Sequence, residues 1–136
     1  MLILDTGALV AAAVSDDPDH LAFVALLRSH PGQLVTCEAV IAEAAFLVER
    51  IAGSAAAGEL VAGLAASGVA IEPLQRGDLD RVAELLTTYA DLRLGFCDAS
   101  VIALAERLGV SDIATVDHRD FTVVRPRHLA HFTLLP

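Results

Sequence analysis

This sequence contains no lysine: its nine basic residues are all arginine, set against eighteen aspartates and glutamates in 136 residues, for a formal net charge of −9. Every mechanism that needs a lysine is therefore excluded. A pI near 4.7 also argues against a broad basic face that would hold duplex nucleic acid by counterion release. Cysteine is nearly as scarce. Cys37 and Cys97 stand far apart, in no CxxC or metal-knuckle spacing, which disfavours a disulfide framework or a zinc module and reads as two free thiols in a reducing compartment. No apolar run approaches the ~18–20 residues that span a bilayer. The opening Met1-Leu2-Ile3-Leu4-Asp5 has no base before Arg28, so the positive region of a leader is missing and a cytoplasmic protein without membrane contact is expected. Nor is any segment rich enough in Pro, Gly and Ser to act as a linker.

What is present is apolar: 55% of the residues are hydrophobic. A chain of this length buries roughly two-thirds of its unfolded surface, which is enough for one domain over residues 1–136 without a staple. Short β-like runs alternate with longer helical ones. Leu2-Ile3-Leu4, Leu34-Val35-Thr36, Val69-Ala70-Ile71, Asp112 to Val116 and Phe132 to Leu135 read as strands. Helices are expected over about Ala8 to Val14, from Asp17-Pro18 to Ser29, from Val40 to Gly53, over Ser54 to Ala66, from a cap at Asp78 to Tyr89, and from Asp98 to Gly109. Strands separated by ten or more helical residues need right-handed crossovers, which place helices on both faces of a parallel sheet. The fold class is α/β, and its ligands belong beyond the carboxyl ends of the strands.

Two acids fall there. Asp5 follows the first strand, and Asp117 follows Ile113-Ala114-Thr115-Val116, although either aspartate alone also makes a good helix cap. Asp98 tops the helical stripe of Val101, Ile102 and Ala105. Glu43 borders the stripe of Val40, Ala44, Leu47 and Ile51, where a glutamate reaching out to solvent is the simpler reading. If the four converged without a cation they would raise one another's pKa values by several units, and a divalent ion would resolve the conflict. Carboxylate oxygens without clustered His or Cys suit Mg²⁺ or Mn²⁺, and the matching chemistry is metal-assisted phosphodiester hydrolysis.

With these residues the chain resembles the PIN-domain ribonucleases, and most closely the VapC-type toxins of bacterial toxin–antitoxin pairs. The carrying segments are Leu2-Ile3-Leu4-Asp5-Thr6-Gly7-Ala8-Leu9, Val40-Ile41-Ala42-Glu43-Ala44, Leu94-Gly95-Phe96-Cys97-Asp98-Ala99-Ser100, and Ala114-Thr115-Val116-Asp117-His118-Arg119-Asp120-Phe121. Each is weak alone; order and spacing make the set specific. The resemblance implies a three-layer α/β/α sandwich around a short, mainly parallel sheet. It further implies a Mg²⁺-dependent endoribonuclease (Mn²⁺ as the alternative) that is a homodimer restrained by a cognate antitoxin. On that footing Asp5 and Asp98 are the principal metal ligands, Glu43 is a ligand or the base for water, and Asp117 is the outer ligand. Thr6 and Thr115 stand beside two of these acids, either as hydrogen-bond partners or in ordinary helix-start and strand roles. Asp120 competes with Asp117, but the turn-like His118-Arg119-Asp120-Phe121 reads as a solvated acid. Gly7 departs from the family pattern, which more often carries a small hydroxyl residue or asparagine there.

Other readings carry less. Asp5-Thr6-Gly7 matches the aspartic-protease triplet, which belongs to all-β surroundings. A phosphoacceptor domain would use the lysine this chain lacks. A catalytically silent binding module of the same fold is disfavoured by the four acids. His128 and His131 read as surface residues, and Cys97 as a small buried thiol. Arg93, Arg119, Arg125 and Arg127 are the positive points available to RNA phosphates, with ion pairing expected for at least two of them.

Overall fold

The computed structural model describes all of residues 1–136. The chain begins with β1 (Leu2–Leu4), α1 (Thr6–Ala13), α2 (His20–Ser29), β2 (Leu34–Thr36), α3 (Glu38–Ala52), α4 (Ser54–Ala66) and β3 (Ala70–Ile71). It continues through α5 (Arg76–Thr88), a 3₁₀ turn (Ala90–Leu92), α6 (Phe96–Leu108), β4 (Asp112–Ala114), α7 (His118–Val123) and β5 (Thr133–Leu135). All strand pairs are parallel, in the order β3-β2-β1-β4-β5.

β1 is apolar at all three positions and wholly buried, as a central strand covered on both faces must be. Its neighbours fix its register, with Leu2, Ile3 and Leu4 opposite Asp112, Ile113 and Ala114. From β1 the chain steps outward through β2 to β3, then returns to the other side of β1 with β4. Strand order therefore reverses between β1 and β4, and with right-handed crossovers α1–α4 and α5–α7 lie on opposite faces. α6 is the most deeply sunk helix: Ala99 through Ala105 are all buried, so it is apolar around its whole circumference rather than along a stripe. Phe121 of α7 meets Phe132 edge-to-face, centroids 6.3 Å apart, and pins the C-terminal segment to the core.

Several local expectations shift. The second helix begins at His20 rather than Asp17-Pro18, because Asp17 is spent on a turn in which its carboxylate accepts from the Asp19 amide at 2.9 Å. Asp78 and Asp98 do not open their helices. Each sits one turn in and reaches back to the amide at the start, Gln75 N–H at 2.8 Å and Gly95 N–H at 3.2 Å, which is the returning half of a capping box. Residues 118–121, expected as a turn, are the first turn of α7.

Candidate metal centre

The reversal between β1 and β4 opens a crevice at the carboxyl edge of the sheet. Asp5 stands directly on it. The Asp5 amide donates to the Ala114 carbonyl at 3.0 Å, continuing the ladder one residue past β1, and its side chain is only 3% exposed. One carboxylate oxygen, Oδ2, accepts from the Thr115 hydroxyl at 2.8 Å. The other, Oδ1, is buried with no hydrogen-bond partner. Burial pushes the Asp5 carboxyl above its usual range, and Glu43 adds to the push. The Thr115 hydroxyl and the nearby amides of Thr6 and Gly7 counter it only in part. A buried carboxylate oxygen without a donor costs on the order of 1–3 kcal/mol or more, which makes it a natural seat for a cation.

Asp98 faces the same crevice from the first turn of α6. Its pKa is pushed up to about 7, first by burial and then by Asp5, while the Gly95 amide draws it back down and Asp120 and Glu43 raise it further. Gly95 leaves room for this carboxylate: a Cβ there would lie 2.8 Å from Asp98 Oδ2. Glu43 reaches in from α3, is itself exposed, and is held by the Thr6 hydroxyl, which donates to Oε2 at 2.7 Å. The two threonines thus hold two of the acids, but not the ones beside them in sequence: Thr6 holds Glu43 and Thr115 holds Asp5.

The fourth position divides two acids. Asp117 is exposed and acts as the cap of α7, accepting from the Arg119 amide at 3.1 Å, while its own amide donates to the Thr115 hydroxyl at 3.0 Å. Asp120, one turn further on, is half-buried rather than solvated. Its carboxyl is pushed up by burial and by Asp117, and its charge is felt at Asp98. The spacing Asp117-x-x-Asp120 is that of cap and third residue of a short helix, the same placement that turns Asp78 and Asp98 back toward their helix starts.

No three His, Cys, Asp or Glu side chains close on a common point. The acids frame a gap that one or two carboxylates and water would complete, the habit of Mg²⁺ rather than of zinc. The orphaned Asp5 oxygen and an all-oxygen donor set without a nearby lysine or arginine bridge fit such an ion. The cysteines add no ligand character. Cys97 donates to the Ala39 carbonyl at 3.2 Å and its thiol is pushed up to about 12, chiefly by burial and then by Glu43, while burial also raises Cys37. Gly7 explains its own departure from pattern, since a Cβ there would sit 2.3 Å from Val116 Cγ2. A cavity of 570 Å³ lies away from these acids, an apolar groove between α1, α2 and α4 lined by residues including Leu9, Leu27, Leu60 and Leu64.

A family model described as PIN domain matches residues 2–125. The chain belongs to the PIN domain family. Among curated proteins it is 32% identical to ribonuclease VapC26 of Mycobacterium tuberculosis over 99% of this chain and 100% of that one. Among solved structures it superposes on VapC20 of the same organism, a sarcin-ricin-loop-cleaving toxin, with a TM-score of 0.82, 23% identity and coverage of 88% and 92%. A toxin–antitoxin complex from Klebsiella pneumoniae matches with a TM-score of 0.68 and 16% identity over 98% and 100% of the two chains. The PIN fold, with its parallel sheet between helices, removes the all-β surroundings that an aspartic-protease reading of Asp5-Thr6-Gly7 requires.

Proposed function

We propose that this PIN-domain protein is a Mg²⁺-dependent endoribonuclease (Mn²⁺ as the alternative ion) and the toxic member of a toxin–antitoxin pair. The observation that carries the reading is the buried Asp5, with one oxygen unpartnered, beside an Asp98 whose pKa is raised and which has no cationic partner. Asp5 and Asp98 hold the ion, with Glu43 beside them. Asp117, which caps α7 with one oxygen and leaves the other free, is the outer ligand, with the half-buried Asp120 as its competitor. The bound ion supplies charge stabilisation and an activated water. The protein's own groups do the rest. Thr115 fixes the Asp5 carboxylate in one orientation, and Thr6 holds Glu43 by one oxygen, leaving Oε1 to take a proton from the attacking water. Attack at phosphorus forms the new P–O bond and breaks the bond to the 3′ oxygen, which leaves with a proton. The products carry a 5′-phosphate and a 3′-hydroxyl.

The restraining partner is an antitoxin whose basic segment covers the acidic crevice, favoured by the net charge of −9. The apolar groove offers the same partner a seat for hydrophobic side chains. The active unit is a homodimer in the cytoplasm; no helix of the chain is long and apolar enough to cross a membrane.

RNA incubated with the protein and Mg²⁺, with and without EDTA, tests the reading. Asp5→Asn and Asp98→Asn are each expected to lower cleavage at least about a hundredfold, since several kcal/mol of transition-state stabilisation go with the ion. Cleavage that persists in both variants or in chelator overturns it.

A further inference from the structure

Three of the nine arginines are committed to ion pairs: Arg81 to Glu84 and Glu106, Arg107 to Glu72 and Asp78, and Arg127 to Glu84. Arg93 is not. It is exposed and has no carboxylate partner, yet it holds the one left-handed backbone conformation among the non-glycine residues, with φ 59°. It closes the 3₁₀ turn there with its amide on the Ala90 carbonyl at 3.1 Å, a place where glycine or asparagine would sit with less strain. A long cationic side chain kept at a glycine-favouring position points to a use for that side chain.

Its neighbours indicate the use. Leu94 is buried and anchors the segment, Gly95 gives its amide to Asp98, and Phe96 turns its ring outward, 48% exposed. Most of the other phenylalanines are in the core; Phe96 instead stands at the first residue of α6, two positions before Asp98. The Cα of Arg93 lies within about 7 Å of that of Gly95, because two residues of chain reach no further. An extended arginine side chain on that Cα is long enough to reach a phosphate bound at the start of α6, where Asp98 sits.

We propose that Arg93 and Phe96 form a nucleotide subsite for single-stranded RNA. The guanidinium takes the phosphate next to the scissile one, and the exposed ring stacks on the base beside it. An aromatic platform with a cation is how sequence-tolerant single-strand binding is built, and duplex RNA cannot present its stacked bases to it. An acidic protein can thus hold RNA without a broad basic face. The proposal rests on the ribonuclease reading and deepens it by naming the strand form and the residues that hold it.

Binding of a short single-stranded RNA is measured by fluorescence anisotropy in the Asp5→Asn protein, across a salt series, together with cleavage kinetics in the otherwise native protein. Arg93→Gly is expected to keep or raise thermal stability while weakening RNA binding about 5- to 10-fold and lowering the slope of log Kd on log salt by about 0.7, one phosphate contact. Phe96→Ala should weaken binding about tenfold with little change in that slope, and Phe96→Leu should recover only part of the loss. Arg28→Ala, an exposed arginine in the last turn of α2 beside the apolar groove and away from the acids, is the control and should leave the slope unchanged. In the cleavage assay the losses should fall mainly on KM. If the native protein cleaves RNA but Arg93→Gly and Phe96→Ala bind and cleave as it does, the subsite is overturned. If Phe96→Ala instead changes the oligomeric state in light scattering and leaves RNA affinity intact, Phe96 is a protein contact and the proposal fails. A native protein that neither binds nor cleaves RNA overturns the ribonuclease reading itself, a result separate from either of these.

Discussion

Acids occupy two regions of this molecule under opposite conditions. Along α5 and α6 they are matched: Glu106 accepts both Arg81 Nε and Nη2 at 2.8 and 2.9 Å, and the buried Asp78 accepts Arg107 Nε at 2.9 Å. At the carboxyl edge of the sheet, Asp5 and Asp98 have hydroxyl and amide donors but no arginine, and both are pushed toward their protonated forms. Asp78 and Asp5 are nearly equally buried, at 4% and 3%. What separates a structural acid from a candidate ligand here is the missing counter-charge, not depth.

That contrast is broken most sharply by the same substitution made in both regions. Asp78→Asn removes the nearer and more buried of Arg107's two carboxylate partners, leaving Glu72 at 3.5 Å, and should destabilise the fold by about 2 kcal/mol. Asp5→Asn removes a buried, uncompensated carboxylate, so in chelator it should leave stability unchanged or raise it. Urea unfolding of the two variants in EDTA reads the signs directly. A loss of stability in Asp5→Asn as large as in Asp78→Asn would show that Asp5 is structural.

The fold and the acids at the sheet edge were legible as candidates beforehand, the matched region was not, and the reasons differ by element. Leu2-Ile3-Leu4 and Leu34-Val35-Thr36 announced themselves as short apolar β runs, and Ser54 to Ala66 fell between a glycine and a serine that bound it. Asp5 was legible because it directly follows an apolar strand run and so falls at a carboxyl end of the sheet. Asp120 was legible only as a competitor of Asp117: α7 is six residues long, too short to show a period, so its first turn reads as a turn in the sequence and its third residue as a solvated acid. The arginine pairings were equally hidden, since Arg81 meets Glu106 and Arg107 meets Asp78 only once α5 lies against α6. The clash that keeps position 7 a glycine depends on Val116, which belongs to the far end of the chain.

That last contact gives an effect of intermediate size. Gly7→Ser installs the hydroxyl residue commoner in the family, but its Cβ would meet Val116 Cγ2 at 2.3 Å. A cost of about 1–3 kcal/mol is expected. Val116→Ala in the same chain should return most of it, because Val116 is exposed and its methyl is the atom in the way. Thermal denaturation of the single and double variants measures the coupling, and an additive pair would mean the strain lies elsewhere.

The smallest effect concerns pH, and it distinguishes the two regions without altering either one's packing. In the folded, metal-free protein Asp98 holds its proton up to about pH 7, against an ordinary value of 3.8, and Asp5 moves in the same direction. Between those pH values the folded state binds more protons than the unfolded one, so stability falls as pH rises through the window and levels off above it. Added Mg²⁺ must displace that proton, and its stabilisation should be small at pH 5 and larger at pH 8. Differential scanning fluorimetry in EDTA and in Mg²⁺ is the measurement, with Asp98→Asn beside the native chain. The native protein's loss of Tm from pH 5 to 8 should shrink in Asp98→Asn, Asp5 still contributing, and persist in full in Arg81→Ala, whose pair with Glu106 lies in the matched region. If Asp98→Asn follows the native profile in both buffers, the carboxylate at residue 98 is neither the group that titrates nor the group that takes the ion.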